Sequence, residues 1–215
     1  LYQRVNVEGT VNLFEAARRA GARKLIVASS SSVYGVNARV PFAETDPIFS
    51  AISPYAASKL ACEALGHVYH HLYGLDVVML RFFTVYGPRQ RPDMAFHRFI
   101  KALLTGDEIV IYGDGKQTRS FCYVDDLIEG FVRMMNQTAT VGPINLGNPG
   151  EFTMLELAQQ VLKLTRSKSK IIHQPLPPDD PRQRRPDITL ARKYLKWEPK
   201  IPLAEGLKKT IAYFK

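Results

Sequence analysis

The chain has 215 residues, of which 46% are hydrophobic and 23% charged, a composition that is typical of a globular protein and excludes intrinsic disorder. No apolar run approaches the ~20 residues of a membrane span, and Cys62 and Cys122 lie in no Cys/His cluster, so we expect no membrane segment, no bound metal and a reduced, cytoplasmic setting. The net charge is +9, and residues 163–215 carry the whole excess, with 14 Lys and Arg against 5 Asp and Glu. This excess indicates a solvated face or a binding site for an anionic small molecule. Nucleic acid is a weaker candidate, since no basic run carries the interleaved aromatic residues on which bases stack.

Apolar runs and helical periods alternate along the chain. Helix signals include Pro54 after Ser53, Gly74 after the long helix, and a capping box formed by Thr153 and Glu156. Strands that are almost wholly apolar and separated by helices predict an α/β fold with a doubly covered parallel sheet, which binds ligands at the carboxyl ends of its strands. In order, the pattern predicts a helix at 11–20, a strand at 24–29, a helix at 53–73, a strand at 76–83, a helix at 96–104, a strand at 108–112, a helix at 125–135, a strand at 143–146, a helix at 153–165 and two short helices near 188–195 and 202–214.

Polar side chains follow the first predicted strand and stand on the long helix after it. A run of serines from Ser29 to Ser32 ends the strand, and Tyr55 and Lys59 lie four residues apart, on one helix face. A phenol is a poor base at neutral pH, but a nearby ammonium stabilises the phenolate and a serine hydroxyl can share the moving proton. This combination predicts proton abstraction from a substrate alcohol while a hydride leaves its carbon.

The same spacing occurs a second time, at Tyr112 and Lys116, on either side of Gly113-Asp114-Gly115. We interpret that pair as part of a turn, without a shared face. Taken singly, Tyr55 is equally well an amphipathic-helix residue with its hydroxyl in water, and the serines are equally well a polar turn. Their order after a buried strand is what favours a catalytic group.

Five motifs occur in order along the chain: NVEGT at 6–10, SSSSVYG at 29–35, SPYAASK at 53–59, LRFFTVYGPR at 80–89 and YVDD at 123–126. Together they resemble the extended short-chain dehydrogenase/reductase family, and more narrowly its NAD-dependent nucleotide-sugar epimerases and dehydratases. The resemblance implies a Rossmann-type doubly wound parallel sheet with a smaller C-terminal substrate domain. The implied boundaries are 1–88 and about 120–147 for the Rossmann domain, and about 89–119 and 148–215 for the nucleotide-sugar-binding domain.

The resemblance also assigns catalytic roles and a cofactor, NAD, that takes the C4 hydride of the sugar and leaves a 4-keto intermediate. Tyr55 is the implied base for the 4-hydroxyl, and Ser30 is the implied hydroxyl that assists it. Lys59 is implied to stabilise the phenolate and to hold the nicotinamide ribose, while Phe83 is implied to lie against the nicotinamide. The implied cofactor contacts are Asn6, Ser29, Tyr55, Lys59 and Phe83.

Arginines suit the nucleotide diphosphate, since the planar guanidinium meets phosphate oxygens in two directions. The resemblance implies this role for Arg119 and for Arg184, which lies in the motif RQRRPD at 182–187. The role gives part of the basic C-terminal third a function. The implied substrate contacts are Ser32, Thr84, Arg89, Tyr112, Arg119 and Arg184, and the implied substrate is a UDP-sugar.

The family's Gly-x-x-Gly-x-x-Gly loop and the acidic residue that holds the adenosine ribose do not occur in this sequence. Because Leu1 aligns with about the middle of the Rossmann domain, we expect the chain to be N-terminally truncated relative to the family. The helix N-terminus after that loop normally holds the pyrophosphate, so we expect weak or absent NAD affinity for the 215-residue chain.

Two reactions are left open by the motifs. Residues up to about 93 resemble UDP-glucuronate 4-epimerases, and residues from 112 onward resemble UDP-glucuronate decarboxylases. The decarboxylases carry a glutamate where this chain has Ser32, and the 4,6-dehydratases carry an Asp-Glu pair where Ser31 and Ser32 stand. We therefore favour 4-epimerisation of UDP-glucuronate or UDP-glucose, with decarboxylation (UDP-xylose synthase) as the alternative. A chain that binds UDP-sugar without turnover is the alternative from another class.

The family typically forms dimers through two long helices, which correspond here to 11–20 and 53–73, and a homodimer is therefore expected. Four apolar positions on the second helix serve either that interface or the core, and we favour core packing. They are Leu60, Ala64, Val68 and Leu72.

Overall fold

The computed structural model describes residues 1–35, 39–137, 142–176 and 183–215; Arg182 and most of the loop before it lie outside these ranges. Helices and mainly parallel strands alternate, which confirms the predicted α/β class. The strands are β1 (Lys24–Ser30), β2 (Asp76–Phe82), β3 (Thr84–Tyr86), β4 (Ile109–Tyr112), β5 (Thr118–Tyr123), β6 (Ile144–Leu146), β7 (Glu151–Thr153) and β8 (Ile171–Gln174). The helices are α1 (Gly9–Arg19), α2 (Pro54–Tyr73), α3 (Ala95–Thr105), α4 (Val124–Met135), α5 (Met154–Thr165) and α6 (Leu203–Phe214).

Local signals in the sequence set the ends of the helices as predicted. Ser53 caps α2, since its hydroxyl accepts a hydrogen bond from the Ala56 amide at 3.1 Å, and Pro54 occupies the first turn. Gly74 ends α2 with φ 64°, a conformation that favours glycine. The capping box at Thr153 and Glu156 opens α5. These helices begin and end where their caps satisfy the free backbone groups.

The first sheet has the order β1-β2-β6, and all of its strands are parallel. Ser29 pairs with Arg81 and Ser30 with Phe82, so the serine run and the end of β2 lie at the same edge of the sheet. The core of this half contains apolar residues of β2, α4 and β6 together with the segment that ends at Trp197, which is 1% exposed. Residues 188–197 therefore pack with the strands that position the site.

The second half is built around β3-β5-β7 and the parallel pair β4-β8, which α3, α5 and α6 cover. In the first of these sheets β3 and β5 are parallel, whereas β5 and β7 are antiparallel. Phe96, Ile109, Leu157 and Leu207 lie in one buried cluster that joins the three helices to the strands. This half supplies most of the walls of the cavity described below.

The long helix α2 presents an apolar outer face that does not reach the core. Val68 is 43% exposed and Leu72 is 61% exposed, and Ala64 is also exposed, so the core-packing interpretation is wrong for these residues. Leu60, in contrast, packs against the buried cluster around Val33. The helix faces the sheet through other positions, because 3.6 residues per turn place only one stripe inward. Within the described ranges, no helix is both long and apolar enough to cross a membrane.

Candidate active site

The carboxyl end of β1 turns directly into a short 3₁₀ helix, Ser31–Tyr34. The Ser30 hydroxyl opens this turn by accepting a hydrogen bond from the Ser32 amide at 3.2 Å. Helix α2 packs against both β1 and the turn. The fold therefore brings the predicted serine to the helix that carries Tyr55 and Lys59.

Lys59 lies on the face of α2 that meets β1, and Tyr55 lies about one helical turn before it. The Lys59 Nζ donates a hydrogen bond to the Ala28 carbonyl at 2.9 Å and lies 5.9 Å from the centre of the Tyr55 ring. An ammonium has three donors, and the bond to Ala28 uses one of them. The remaining donors fit ribose hydroxyls, so these residues are compatible with the nicotinamide end of an NAD molecule.

Asn6 approaches the same helix from a π-helical segment, Gln3–Glu8, that precedes α1. Its amide donates a hydrogen bond to the Ser58 hydroxyl at 2.9 Å, and that hydroxyl donates to the Tyr55 carbonyl at 2.7 Å. Asn6 thus supports the first turn of α2. Its predicted contact with the cofactor remains a prediction.

A buried ion pair fastens β2 to α2. Arg81 on β2 donates to both oxygens of Glu63, at 3.0 Å and 2.7 Å, and the side chains are 2% and 9% exposed. Ser29 is 4% exposed and donates to the same carboxylate at 2.5 Å. Burial is the largest single influence on Arg81 and opposes its charge, but the hydrogen bonds and electrostatic attraction of Glu63 and Tyr34 together outweigh it and raise the pKa of the guanidinium. Ser29 is engaged by this carboxylate, and its predicted cofactor contact remains a prediction.

Arg81 also joins the pair to a second buried group. It donates to the Tyr34 hydroxyl at 3.0 Å, and that hydroxyl donates to the Asn145 side-chain oxygen at 2.6 Å. Burial raises the pKa of Tyr34 to about 12, so the phenol stays protonated. Burial likewise raises the pKa of Glu44, whose carboxylate accepts a hydrogen bond from the backbone amide of Asn145 at 2.7 Å.

Phe83 closes the end of β2 within a small aromatic cluster. It is 4% exposed and packs with Val33, Tyr34 and Phe42. The next residue, Thr84, begins β3 and reaches the wall of a cavity. Phe83 thus directly precedes a residue that lines the cavity. Its contact with the nicotinamide stays a prediction.

The largest set of predicted substrate contacts meets in one open cavity of about 460 Å³. Thr84, Tyr112, Arg119 and Arg184 all line it. Ser32 and Arg89, which also belong to the described part of the chain, are not among its lining residues, and Arg89 is exposed with φ 61°. Arg98 lines the cavity as well, so three arginine side chains stand beside an apolar wall, an arrangement that suits a diphosphate joined to a flat base.

The second Tyr-x-x-x-Lys pair has the turn geometry predicted for it. Tyr112 ends β4, and Gly113 and Gly115 adopt φ values of 63° and 75°, so the chain reverses before Lys116. The Lys116 ammonium lies 3.5 Å from the exposed Asp114 carboxylate. Tyr112 instead contacts Arg98 of α3.

Residues 1–147 match the NAD dependent epimerase/dehydratase family. The chain belongs to this family. It is 42% identical over 212 residues to UDP-glucuronic acid decarboxylase 6 of Arabidopsis thaliana, covering 95% of this chain and 61% of that protein. It is 39% identical over 218 residues to a UDP-glucuronate 4-epimerase of Thermodesulfobacterium geofontis, covering 100% of this chain and 66% of that protein.

A solved structure of the family has the same fold over almost all of this chain. The UDP-glucuronic acid 4-epimerase of Bacillus cereus, in complex with UDP-glucuronic acid and NAD, superimposes with a TM-score of 0.91 at 37% identity, covering 97% of this chain and 66% of that chain. The chain thus spans about three fifths to two thirds of the length of these relatives. The family is NAD-dependent, and the match confirms the predicted Rossmann-type fold and the predicted membership of this enzyme family.

Sequence reasoning about this epimerase/dehydratase chain missed the buried network behind the serines. A signal was available, because Arg81 interrupts an otherwise apolar strand and Glu63 follows Lys59 by one helical turn. It also missed the α3 side of the cavity, which includes Met94 and Phe99. No local pattern marks those two residues, since they resemble any other apolar helix positions.

Proposed function

We propose that this chain carries the catalytic residues and the nucleotide site of an NAD-dependent UDP-sugar 4-epimerase. The supporting observation is that Thr84, Tyr112, Arg119 and Arg184 share one cavity. Thr84 lies two residues beyond Phe82, which pairs with Ser30 across the sheet. A ligand in the cavity is therefore close to the serine turn, because a strand advances ~3.3 Å per residue.

In this proposal each side chain has a defined task. Arg119 and Arg184 bind the diphosphate through charge-assisted hydrogen bonds. Tyr55 takes the proton of the sugar 4-hydroxyl and later returns it, with Ser30 sharing that proton, and Lys59 stabilises the phenolate and holds the ribose of the cofactor. NAD, held by Lys59, would supply the hydride acceptor and donor for C4, and epimerisation would follow from hydride return to the opposite face of the sugar carbon.

The proposal favours epimerisation over decarboxylation because of the turn Ser31–Tyr34, which carries no carboxylate. Oxidation of UDP-glucuronate at C4 makes a β-keto acid, and the decarboxylases resembled by this chain carry a glutamate at the position of Ser32. Overall similarity does not separate the two reactions, since relatives of both kinds lie near 40% identity.

The test begins with calorimetric titrations of the chain with NAD and with UDP-glucose. We expect UDP-glucose to bind and NAD to bind weakly or not at all; micromolar NAD affinity contradicts the second expectation. The chain is then incubated with UDP-glucuronate and an excess of NAD large enough to offset weak affinity, and the products are identified by proton NMR. UDP-galacturonate supports epimerisation, whereas UDP-xylose with carbon dioxide supports the alternative.

The Tyr55→Phe variant is the matched control, because it keeps the ring and removes the proton-accepting oxygen. It is expected to bind UDP-glucose like the unmodified chain and to form no product. Binding of UDP-glucose by a chain that turns over neither sugar supports a non-catalytic UDP-sugar-binding protein. Absence of UDP-glucose binding contradicts the proposed nucleotide site.

We also propose a homodimer formed through α1 and α2. The exposed apolar residues Leu13, Val68 and Leu72 on these helices support it. Analytical ultracentrifugation tests it, with Val68→Lys as the variant expected to give monomers. The cytoplasmic location expected from the cysteines stays a prediction.

A further inference from the structure

We propose that Asn145 is a positioning residue that holds the phosphate strap, defined as residues 183–187, against the turn Ser31–Tyr34. The inference rests on the proposed function, because it takes the ligand of Arg184 to be the diphosphate of a UDP-sugar. In this proposal Asn145 contacts neither the sugar nor the phosphate, but it sets the position of Arg184, which binds the diphosphate.

Asn145 stands on β6, is 0% exposed and uses both polar atoms of its side chain. Its side-chain NH₂ donates to the Phe42 carbonyl at 2.9 Å and to the Asp187 carbonyl at 3.0 Å. Its side-chain oxygen accepts from Tyr34 at 2.6 Å, and its backbone amide donates to Glu44 at 2.7 Å. A buried amide is costly unless its bonds are satisfied, so this side chain requires all its partners at fixed positions.

The phosphate strap is held by two neighbours in addition to Asn145. The Phe42 amide donates to the Arg185 carbonyl at 2.9 Å, and the Asp187 amide donates to the Phe42 carbonyl at 2.8 Å. On the other side, the Ser120 amide donates to the Arg184 carbonyl at 3.2 Å. The side-chain amide of Asn145 donates to the carbonyls of both Phe42 and Asp187, the residues that pair with each other here. It therefore fixes the backbone from which Arg184 enters the cavity.

The same amide holds the turn behind the catalytic serine. Tyr34 ends that turn, donates to Asn145 and accepts from Arg81, and its ring stacks on Phe42 at a centroid distance of 4.9 Å. One side chain therefore joins the strap that carries Arg184 to the turn that follows Ser30. Such a link keeps the phosphate group and the proton-transfer group at a set separation, and a shift of about 1 Å in such groups weakens binding and catalysis strongly.

The experiment measures UDP-glucose affinity by calorimetry for the unmodified chain, Asn145→Ala and Asn145→Asp. Ile144→Val is the matched control, because it shortens the neighbouring buried side chain on the same strand without touching the polar network. We expect Asn145→Ala to weaken binding by about tenfold or more, and Ile144→Val to leave it within about twofold even where both lower the melting temperature.

The Asn145→Asp variant separates positioning from a purely structural role through its pH profile. A protonated carboxyl can donate to one of the two carbonyls, whereas a carboxylate can donate to neither. Its affinity is expected to recover between about pH 8 and about pH 5, relative to the unmodified chain, while Asn145→Ala shows no recovery. A flat profile, or binding by folded Asn145→Ala within about twofold of the unmodified chain, overturns the proposal.

Amide hydrogen exchange at Asp187 supplies a readout that needs no ligand. Tyr34→Phe removes one fixing bond of Asn145 with little change of volume, so it tests the proposal even where Asn145→Ala does not fold. Faster exchange at Asp187 in Tyr34→Phe, absent in Ile144→Val, is expected, and unchanged exchange overturns the proposal. Failure of the unmodified chain to bind UDP-glucose contradicts the proposed function alone, since the exchange result still tests whether Asn145 holds the phosphate strap.

Discussion

Replacing Arg81 by Met is expected to destabilise the fold more than any surface charge substitution. The guanidinium makes two hydrogen bonds to Glu63, one to Tyr34 and one to the Glu44 carbonyl at 3.3 Å. Methionine restores much of the apolar stem but none of these bonds. The Glu63 carboxylate is left in a site where its side chain is 9% exposed, with Ser29 as its remaining partner among the contacts described above.

The expected magnitude follows from this burial. Removing one partner of a buried ion pair costs about 3–5 kcal/mol, because it leaves an uncompensated charge. For a chain of this length, each kcal/mol lowers the melting temperature by about 2–4 °C, so the fall is roughly 6–20 °C. Since domains are stable by about 5–15 kcal/mol, a loss of this size removes a large share of the total stability.

Urea unfolding followed by the fluorescence of Trp197 measures the effect. Trp197 is the one tryptophan in the sequence, is 1% exposed and belongs to the core that contains residues of β2. We expect a lower urea midpoint with an unchanged slope. The matched control is Arg192→Met, whose partner Glu198 lies 3.1 Å away in a pair that is 56% and 58% exposed. Exposed pairs contribute about 0–1 kcal/mol, so the control is expected to change the midpoint little.

The double variant Glu63→Gln with Arg81→Met sharpens the test. Removing the stranded charge together with its partner is expected to recover part of the lost stability. Equal losses in Arg81→Met and Arg192→Met refute the reasoning. A double variant that is less stable than Arg81→Met refutes it as well, because the cost then does not arise from an unpaired carboxylate.

Three further outcomes are expected. Burial raises the pKa of Glu44 above 4.5, so this carboxyl holds its proton to higher pH in the folded chain than in the unfolded one, and the stability that it contributes is lost as pH rises through the folded pKa. Glu44→Gln is therefore expected to raise the urea midpoint at pH 7 and not at pH 4. An equal change at both pH values contradicts this expectation. Ser32→Glu is expected to increase UDP-xylose among the products, as measured by NMR, and an unchanged product ratio counts against the role given to that position. A Cβ on Gly206 would lie 2.1 Å from the buried Tyr86 hydroxyl, so Gly206→Ala is expected to cost about 1–3 kcal/mol, whereas Gly9→Ala, with its nearest contact at 3.8 Å, is expected to be neutral or stabilising; similar midpoints for the two contradict the packing argument.

Much of the secondary structure follows from the sequence because its signals are local. Ser53, Pro54 and Gly74 define α2 within one turn of each end, and the apolar runs of β1 and β2 define the strands. The sequence did not predict β3, β5, β7 or β8 as separate strands, although it did predict β6, which has only three residues. β3 and β7 have three residues each, and they are strands because β5 pairs with both. The short helix predicted near 188–195 is a π-helical turn at Ala191–Leu195.

The sequence by itself determined the family, the order of the catalytic motifs and the shared face of Tyr55 and Lys59, because these depend on spacing within one segment. Only the tertiary structure decided which residues surround them. The Tyr34 hydroxyl meets an amide 111 positions away at Asn145, and Thr84 shares a cavity with Arg184. Contacts of this range are set by strand register and sheet order, and the pattern of any single segment carries no record of them.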